Sequence, residues 1–183
     1  MKLRPIFFAA VFALSGFAAA GTVSPAAWKE FSGGWFKVQL PGPPKRASNG
    51  SWVALDPHKS AFNVSATRMK EGPENPKDYL EETAEMLADR LGGRIEDRKL
   101  FQVQGNSAMD CQVGNDQHRL GVRLILRQGF LYMLQYAATP KAFDPRVMGK
   151  FFGSFKLTGK VPTSDSGKEE STEGKQEAPE QAW

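Results

Sequence analysis

The chain has 183 residues, one cysteine, and 24 Lys and Arg against 20 Asp and Glu, for a net charge of +4. A single cysteine excludes an intramolecular disulfide, so stability has to come from packing. A hydrophobic share of 40% excludes a chain disordered throughout, and the length suits one domain once a leader and a polar tail are set aside.

Lys2 and Arg4 precede an apolar run from Ile6 to Phe17, broken only by Ser15 and Gly16, and Ala18-Ala19-Ala20 follows. That order predicts a signal peptide over residues 1–20, cut next to Gly21. The run is shorter than the ~20 apolar residues a membrane span needs, so the expectation is an exported protein, periplasmic or secreted, that does not span a membrane. Cys111 lies far from the mature N-terminus, which excludes a lipoprotein arrangement.

Residues 21–160 hold 20 basic and 14 acidic groups, whereas residues 161–183 hold six acids against Lys168 and Lys175. The expected organisation is therefore a basic domain over 21–160 and a disordered acidic tail over 161–183, rich in Ser, Glu, Lys, Gly, Gln and Pro. Such a body either stays soluble with its tail as a screen or meets an anionic partner: lipid headgroups, cell-wall polymer or an acidic protein.

Along the chain, Pro25 to Phe31 predicts a helical turn that pins Trp28 or Phe31 on the domain. Strands follow at Trp35 to Leu40, Ser51 to Leu55 and Ala61 to Met69, forming an opening meander punctuated by Pro41-Gly42-Pro43-Pro44 and Asp56-Pro57. Asn75 as N-cap and Pro76 at the first position open a helix with Leu80, Thr83, Ala84, Leu87 and Leu91 on one face, ended by Gly92-Gly93. Its other face, Asp78, Glu81, Glu82, Glu85 and Asp89, reads as solvated, since no loop orders these carboxylates around an ion.

From Arg94 to Thr139 the period changes to two, predicting strands near Ile95 to Gln104, Ser107 to Gly114, His118 to Gln128 and Phe130 to Ala138. Placing Phe101 and Val103 on one face with Met109 and Cys111 requires a three-residue loop with a bulge at Gly105. Two-residue loops at Asn115-Asp116 and Gln128-Gly129 align Val113 and Cys111 with His118 and Leu120, and Leu120, Leu124 and Leu126 with Ala137, Met133 and Leu131. Cys111, between Met109 and Val113, becomes an inert buried thiol. A second helix over Pro140 to Phe152, facing the sheet through Phe143, Val147 and Phe151, and a short strand at Ser154 to Leu157 complete the pattern.

This order of elements carries a resemblance. It combines a strand ending in Leu40-Pro41-Gly42-Pro43-Pro44-Lys45, an acidic-faced helix running into Gly92-Gly93-Arg94-Ile95, Gly129-Phe130-Leu131-Tyr132 in the meander, and a closing Phe151-Phe152-Gly153-Ser154-Phe155-Lys156-Leu157. Over residues 30–158 the chain resembles the PsbP-like superfamily of small α/β/α sandwiches, alongside DcrB-type envelope proteins and a Ran-binding import factor. The resemblance implies an α+β fold, an antiparallel β-sheet flanked by helices, used for binding and assembly rather than catalysis. It carries over no site residue, no cofactor and no metal pattern.

Candidate chemistry is sparse. The two histidines, His58 in a turn beside Asp56 and His118 at a strand start, lie at no recognised ligand spacing, and a zinc site from His118, Cys111 and Asp116 lacks a fourth ligand. No nucleophile elbow, phosphate loop or dinucleotide fingerprint is present. The leading candidate is a stripe: Arg119, Arg123 and Arg127 share one strand face, interleaved across the hairpin with Tyr136 opposite Gly121 and Tyr132 opposite Ile125. Asp110 is expected to face Gly121, diagonal to Arg119 and Arg123. The stripe either packs under a flanking helix with Asp110 as counter-charge, or holds an anionic or protein partner by guanidinium forks and tyrosine faces. Nucleic acid is a poor match for an exported chain without an RNA-recognition strand motif.

The expected function is an exported, non-catalytic binding or assembly factor of the cell envelope, with no cofactor, docking an envelope protein or an anionic surface. A carrier of a small hydrophobic ligand, or less readily a hydrolase using His58 or His118, is the alternative.

Overall fold

The period-two segments that dominate the second half of the chain build one wide antiparallel sheet, and the two amphipathic segments supply a cover for each of its faces. In the computed structural model, which describes residues 28–57 and 60–160, the order is β1 (Lys29–Ser32), β2 (Phe36–Leu40), β3 (Lys45–Arg46), β4 (Trp52–Leu55), β5 (Ala61–Arg68), α1 (Pro76–Leu91), β6 (Arg94–Val103), β7 (Asn106–Gly114), β8 (Arg119–Arg127), β9 (Phe130–Ala138), α2 (Pro145–Ser154) and β10 (Lys156–Leu157). Seven strands pair in the order β3-β4-β5-β9-β8-β7-β6, and β1-β2-β10 form a small separate sheet. The predicted signal peptide, the acidic tail and His58 lie outside the described residues.

Both faces of the large sheet are buried, which gives two cores. On one face α1 packs Leu80, Ala84 and Leu87 against Met109, Cys111, Val113, Leu124 and Met133. On the other, α2 and the small sheet bring Phe36, Val38, Phe151, Phe152 and Leu157 onto Phe62, Ile125, Leu134 and Tyr136. Burying both faces explains why strand β8 is apolar at nearly every position except its arginines.

The start of α1 matches the expected chemistry. The Asn75 side chain accepts the N–H of Lys77 at 3.0 Å and of Asp78 at 3.4 Å, and Pro76 occupies the first turn. At the other end Gly92 is left-handed, φ 61°, and the N–H groups of Gly92 and Gly93 close onto Asp89 and Ala88. Gly93 then passes so close to β7 that a Cβ there would stand 2.5 Å from the Gly114 carbonyl oxygen.

Several expectations are corrected. Val103 pairs with Asn106, so the Gly105 turn has two residues, not three; Gln104 and Gly105 both take positive φ, 48° and 76°, the geometry of a type I′ hairpin. The irregularity falls instead between Ile95 and Asp97. Phe101 and Val103 consequently lie on the face opposite Met109 and Cys111, packing with Ala108 in the other core. Because each face has its own core, apolar character could not decide which parity points which way.

At Asn115 the hairpin closes two residues later in β8 than expected. Val113 pairs with Leu120 and Cys111 with Val122, leaving Asp116 and Gln117 at the tip. Asn115 dictates this: its Oδ1 accepts the N–H of Gln117 and His118, and its Nδ2 donates to the Leu91 carbonyl at the end of α1. Shifting by two keeps every side chain on its face but brings Asp110 opposite Arg123 rather than Gly121.

The opening meander is broken. β2 leaves the large sheet and pairs with β1 and β10, and the lead-in that read as a helical turn is strand over Lys29–Ser32, with Pro25 to Ala27 outside the described residues. Trp28 and Phe31 are nevertheless packed on the core as expected. Helix α2 starts at Pro145, not Pro140, because Asp144 caps it, its side chain accepting the Arg146 N–H at 2.8 Å; β10 correspondingly shrinks to two residues.

Candidate functional site

The Gln128-Gly129 turn has the predicted two-residue form, and it fixes the register that builds the arginine stripe. Gly121 faces Tyr136, Ile125 faces Tyr132, and Arg119, Arg123 and Arg127 project with them from the same side of the sheet. That side lies beneath α2 and the small sheet, not in open solvent. Tyr132 and Tyr136 are core residues, at 0% and 1% exposure.

Each arginine is engaged differently. Arg123 holds Asp110 with two parallel bonds, Nε to Oδ1 at 2.7 Å and Nη2 to Oδ2 at 2.8 Å, and its Nη1 donates to the Phe152 carbonyl at 2.8 Å in the last turn of α2. Its guanidinium also lies over the rings of Phe101 and Phe152, 4.9 and 5.0 Å from their centroids. Positive charge at a helix C-terminus is favoured by the aligned carbonyl dipoles, so this residue fastens α2 to the sheet.

Arg119 reaches Glu96 at 3.0 Å and lies 5.7 Å from the Phe143 ring centroid, half exposed. Arg127 donates from Nη1 to the Thr158 carbonyl at 3.0 Å and lines a polar cleft of about 420 Å³ with Gln104, Asn106, Gln128, Leu157 and Thr158. Among the three, Arg127 alone lines that cleft.

The tyrosines differ in how their hydroxyls are satisfied. Tyr136 takes the Asp144 N–H and reaches the Ala142 carbonyl, tying the entry of α2 to β9. Burial pushes its phenol above the ordinary range. Burial does the same to Tyr132, opposed by the charge of Arg127, and the Tyr132 hydroxyl finds no hydrogen-bond partner among the described residues.

Several residues of this region were not singled out from the sequence. Gln104 uses its side-chain amide like a strand edge, accepting the Leu157 N–H at 3.0 Å. Gln104-Gly105 and Gln128-Gly129 are twin turns with nearly equal φ, and that repeated Gln-Gly was the readable signal. Asp110 stands opposite Arg123, two residues along β8 from its expected place opposite Gly121, and Glu96 pairs with Arg119 although no spacing in the sequence signals it.

Elsewhere, no group of three or more His, Cys, Asp or Glu that could hold a metal occurs among the described residues. Cys111 is 3% exposed, and burial pushes its thiol up to about 12. No helix among them is long and apolar enough to cross a membrane.

Neither a protein-family model nor a curated protein matches the sequence. The three-layer arrangement does match solved structures. The solution structure of cyanobacterial PsbP (CyanoP) from Synechocystis superposes with a TM-score of 0.57 over 77% of this chain and 98% of that one, at 11% identity. The fold is PsbP-like. The Ran-binding protein Mog1p of Saccharomyces cerevisiae matches with a TM-score of 0.50 over 72% of this chain and 96% of its own, at 12% identity. At these identities the likeness covers the PsbP-like fold: the antiparallel sheet, its helical cover and their order.

Proposed function

We propose that this chain is an exported, non-catalytic binding or assembly factor of the cell envelope that docks a protein or an anionic partner. The observation that supports it is the placement of Arg127: a guanidinium with one hydrogen bond among the described residues, to Thr158, on the wall of a polar cleft at the foot of the sheet. A planar donor fork at such a position suits a carboxylate or phosphate group. The yeast protein that shares the fold is named for binding another protein, which is in keeping with a docking role. The signal peptide expected from the sequence of residues 1–20 is the basis for proposing export.

Within this reading Arg127 makes the contact, Arg123, Tyr132 and Tyr136 position the strand that carries it, and Arg119, paired with Glu96 at the far end of β8, is the comparison site outside the cleft. The test is a pull-down from envelope extract with native protein, Arg127→Ala and Arg119→Ala, matched for unfolding midpoint. Loss of a specific partner in Arg127→Ala supports the proposal. Unchanged recovery with both variants removes the stripe from it.

A further inference from the structure

The two layers that cover the sheet carry opposite charge. Helix α1 has five carboxylates against Lys77 and Arg90, while residues 28–40 and 141–160, which form the α2 and small-sheet layer, have seven cations against Glu30 and Asp144. Those two acids are already taken, Glu30 by Lys37 at 3.2 Å and Asp144 by Arg146 at 3.0 Å. Lys29, Lys141, Lys150, Lys156 and Lys160 are exposed and form no ion pair among the described residues.

We infer that this layer docks on an anionic lipid surface, a deepening that rests on the reading of an anionic partner above. All five of these cations are lysines, which act as compact mobile point charges rather than the rigid forks that select a single carboxylate or phosphate. They are spread over a helix, two strands and the flanking chain instead of converging on a pocket, as a sheet of headgroups requires and a discrete ligand does not. Lys150 stands 4.6 Å above the ring of Trp28, a half-buried indole at the rim of the layer, and amphipathic rings of this kind sit well at a headgroup boundary. The acidic α1 side faces away across the sheet, so the charge distribution also orients the approach.

The test is flotation of the full chain with phosphatidylcholine vesicles, with and without phosphatidylglycerol, at about 0.1 M salt. Binding only to the phosphatidylglycerol vesicles is expected. Each lysine near such a surface contributes on the order of fivefold, so Lys150→Gln with Lys156→Gln weakens partition roughly 25-fold. Lys70→Gln with Lys77→Gln removes the same charge before and on α1 and changes partition less than about twofold. Equal losses in the two double variants, indifference to phosphatidylglycerol, or capture of an acidic protein through these lysines without vesicle binding overturns the lipid assignment. If vesicle binding fails while the Arg127-dependent pull-down succeeds, the lipid inference falls and the docking proposal stands.

Discussion

Arg123 and Asp110, 13 residues apart in the chain, meet directly across β7 and β8 in a two-pronged ion pair at 2.7 and 2.8 Å. The arginine's third bond goes to the last turn of α2, so one side chain links two strands and the helix above them. With 15% of the Arg123 side chain and 30% of the Asp110 side chain exposed, the pair is mostly shielded from water. Cutting it leaves a charge without its partner in a poorly solvated place. Arg123→Ala is therefore expected to destabilise by about 3 kcal/mol in urea unfolding, and Arg123→Lys to recover less than half of that, because an ammonium cannot reproduce the fork. A double-mutant cycle with Asp110→Ala measures the coupling.

Gly93 gives a prediction from shape alone. Its missing Cβ is what allows the chain leaving α1 to pass the Gly114 carbonyl, and that obstacle is backbone, not a side chain able to swing aside. Gly93→Ala is expected to cost about 1–3 kcal/mol of unfolding free energy. Gly92→Ala meets no neighbour but must hold a left-handed backbone, and is expected to cost about 1 kcal/mol.

At the opposite end of α1, Asn75→Ala removes the acceptor of two otherwise orphaned N–H groups. A loss of about 1 kcal/mol, read as a lower thermal midpoint, is expected; Asn75→Asp keeps the acceptor but replaces the Nδ2 donor to Asp78 Oδ2, 2.8 Å away, with a like charge, and is expected to recover only part of that loss.

Cys111 makes a pH prediction. Burial pushes its thiol up to about 12 in the folded chain from an ordinary value of 9.0, so between these values the unfolded chain binds fewer protons than the folded one. Stability from this group is complete below about pH 9 and declines above it, by up to roughly 1.4 kcal/mol per pH unit. Native protein compared with Cys111→Val over pH 8 to 11 isolates that slope, the variant lacking it. At pH 8 the native thiol is expected to resist alkylation until the protein is unfolded.

The sequence is legible where short-range chemistry decides. Asn75-Pro76, Gly92-Gly93 and Gln128-Gly129 each impose a local geometry that no packing partner has to supply. The period-two run from Arg94 to Ala138 likewise announces strands. The turns at Gly105 and Asn115 are not legible, for related reasons. At the first, two cores make both strand faces apolar, so alternation loses its directional information; at the second, a side chain bonds to a helix end 24 residues earlier, invisible to any local rule. The stripe shows the same division: its spacing and its facing tyrosines were legible, whereas its partners Asp110, Phe152 and Thr158 depended on a turn register and on where the last helix lands.

Composition and order alone determined the first helix with both of its caps, the strands that make up most of the large sheet, and that three arginines share a face with two tyrosines. Caps, turn residues and periodicity act within a few positions, and that is why they can be read in one dimension. Only the tertiary structure decided that the face is covered, that Arg123 fastens a helix while Arg127 borders a cleft, and that cations gather on one layer and carboxylates on the other. Those outcomes follow from which surfaces meet after burial of both sheet faces, and burial couples residues whose separation along the chain says nothing about their distance in space.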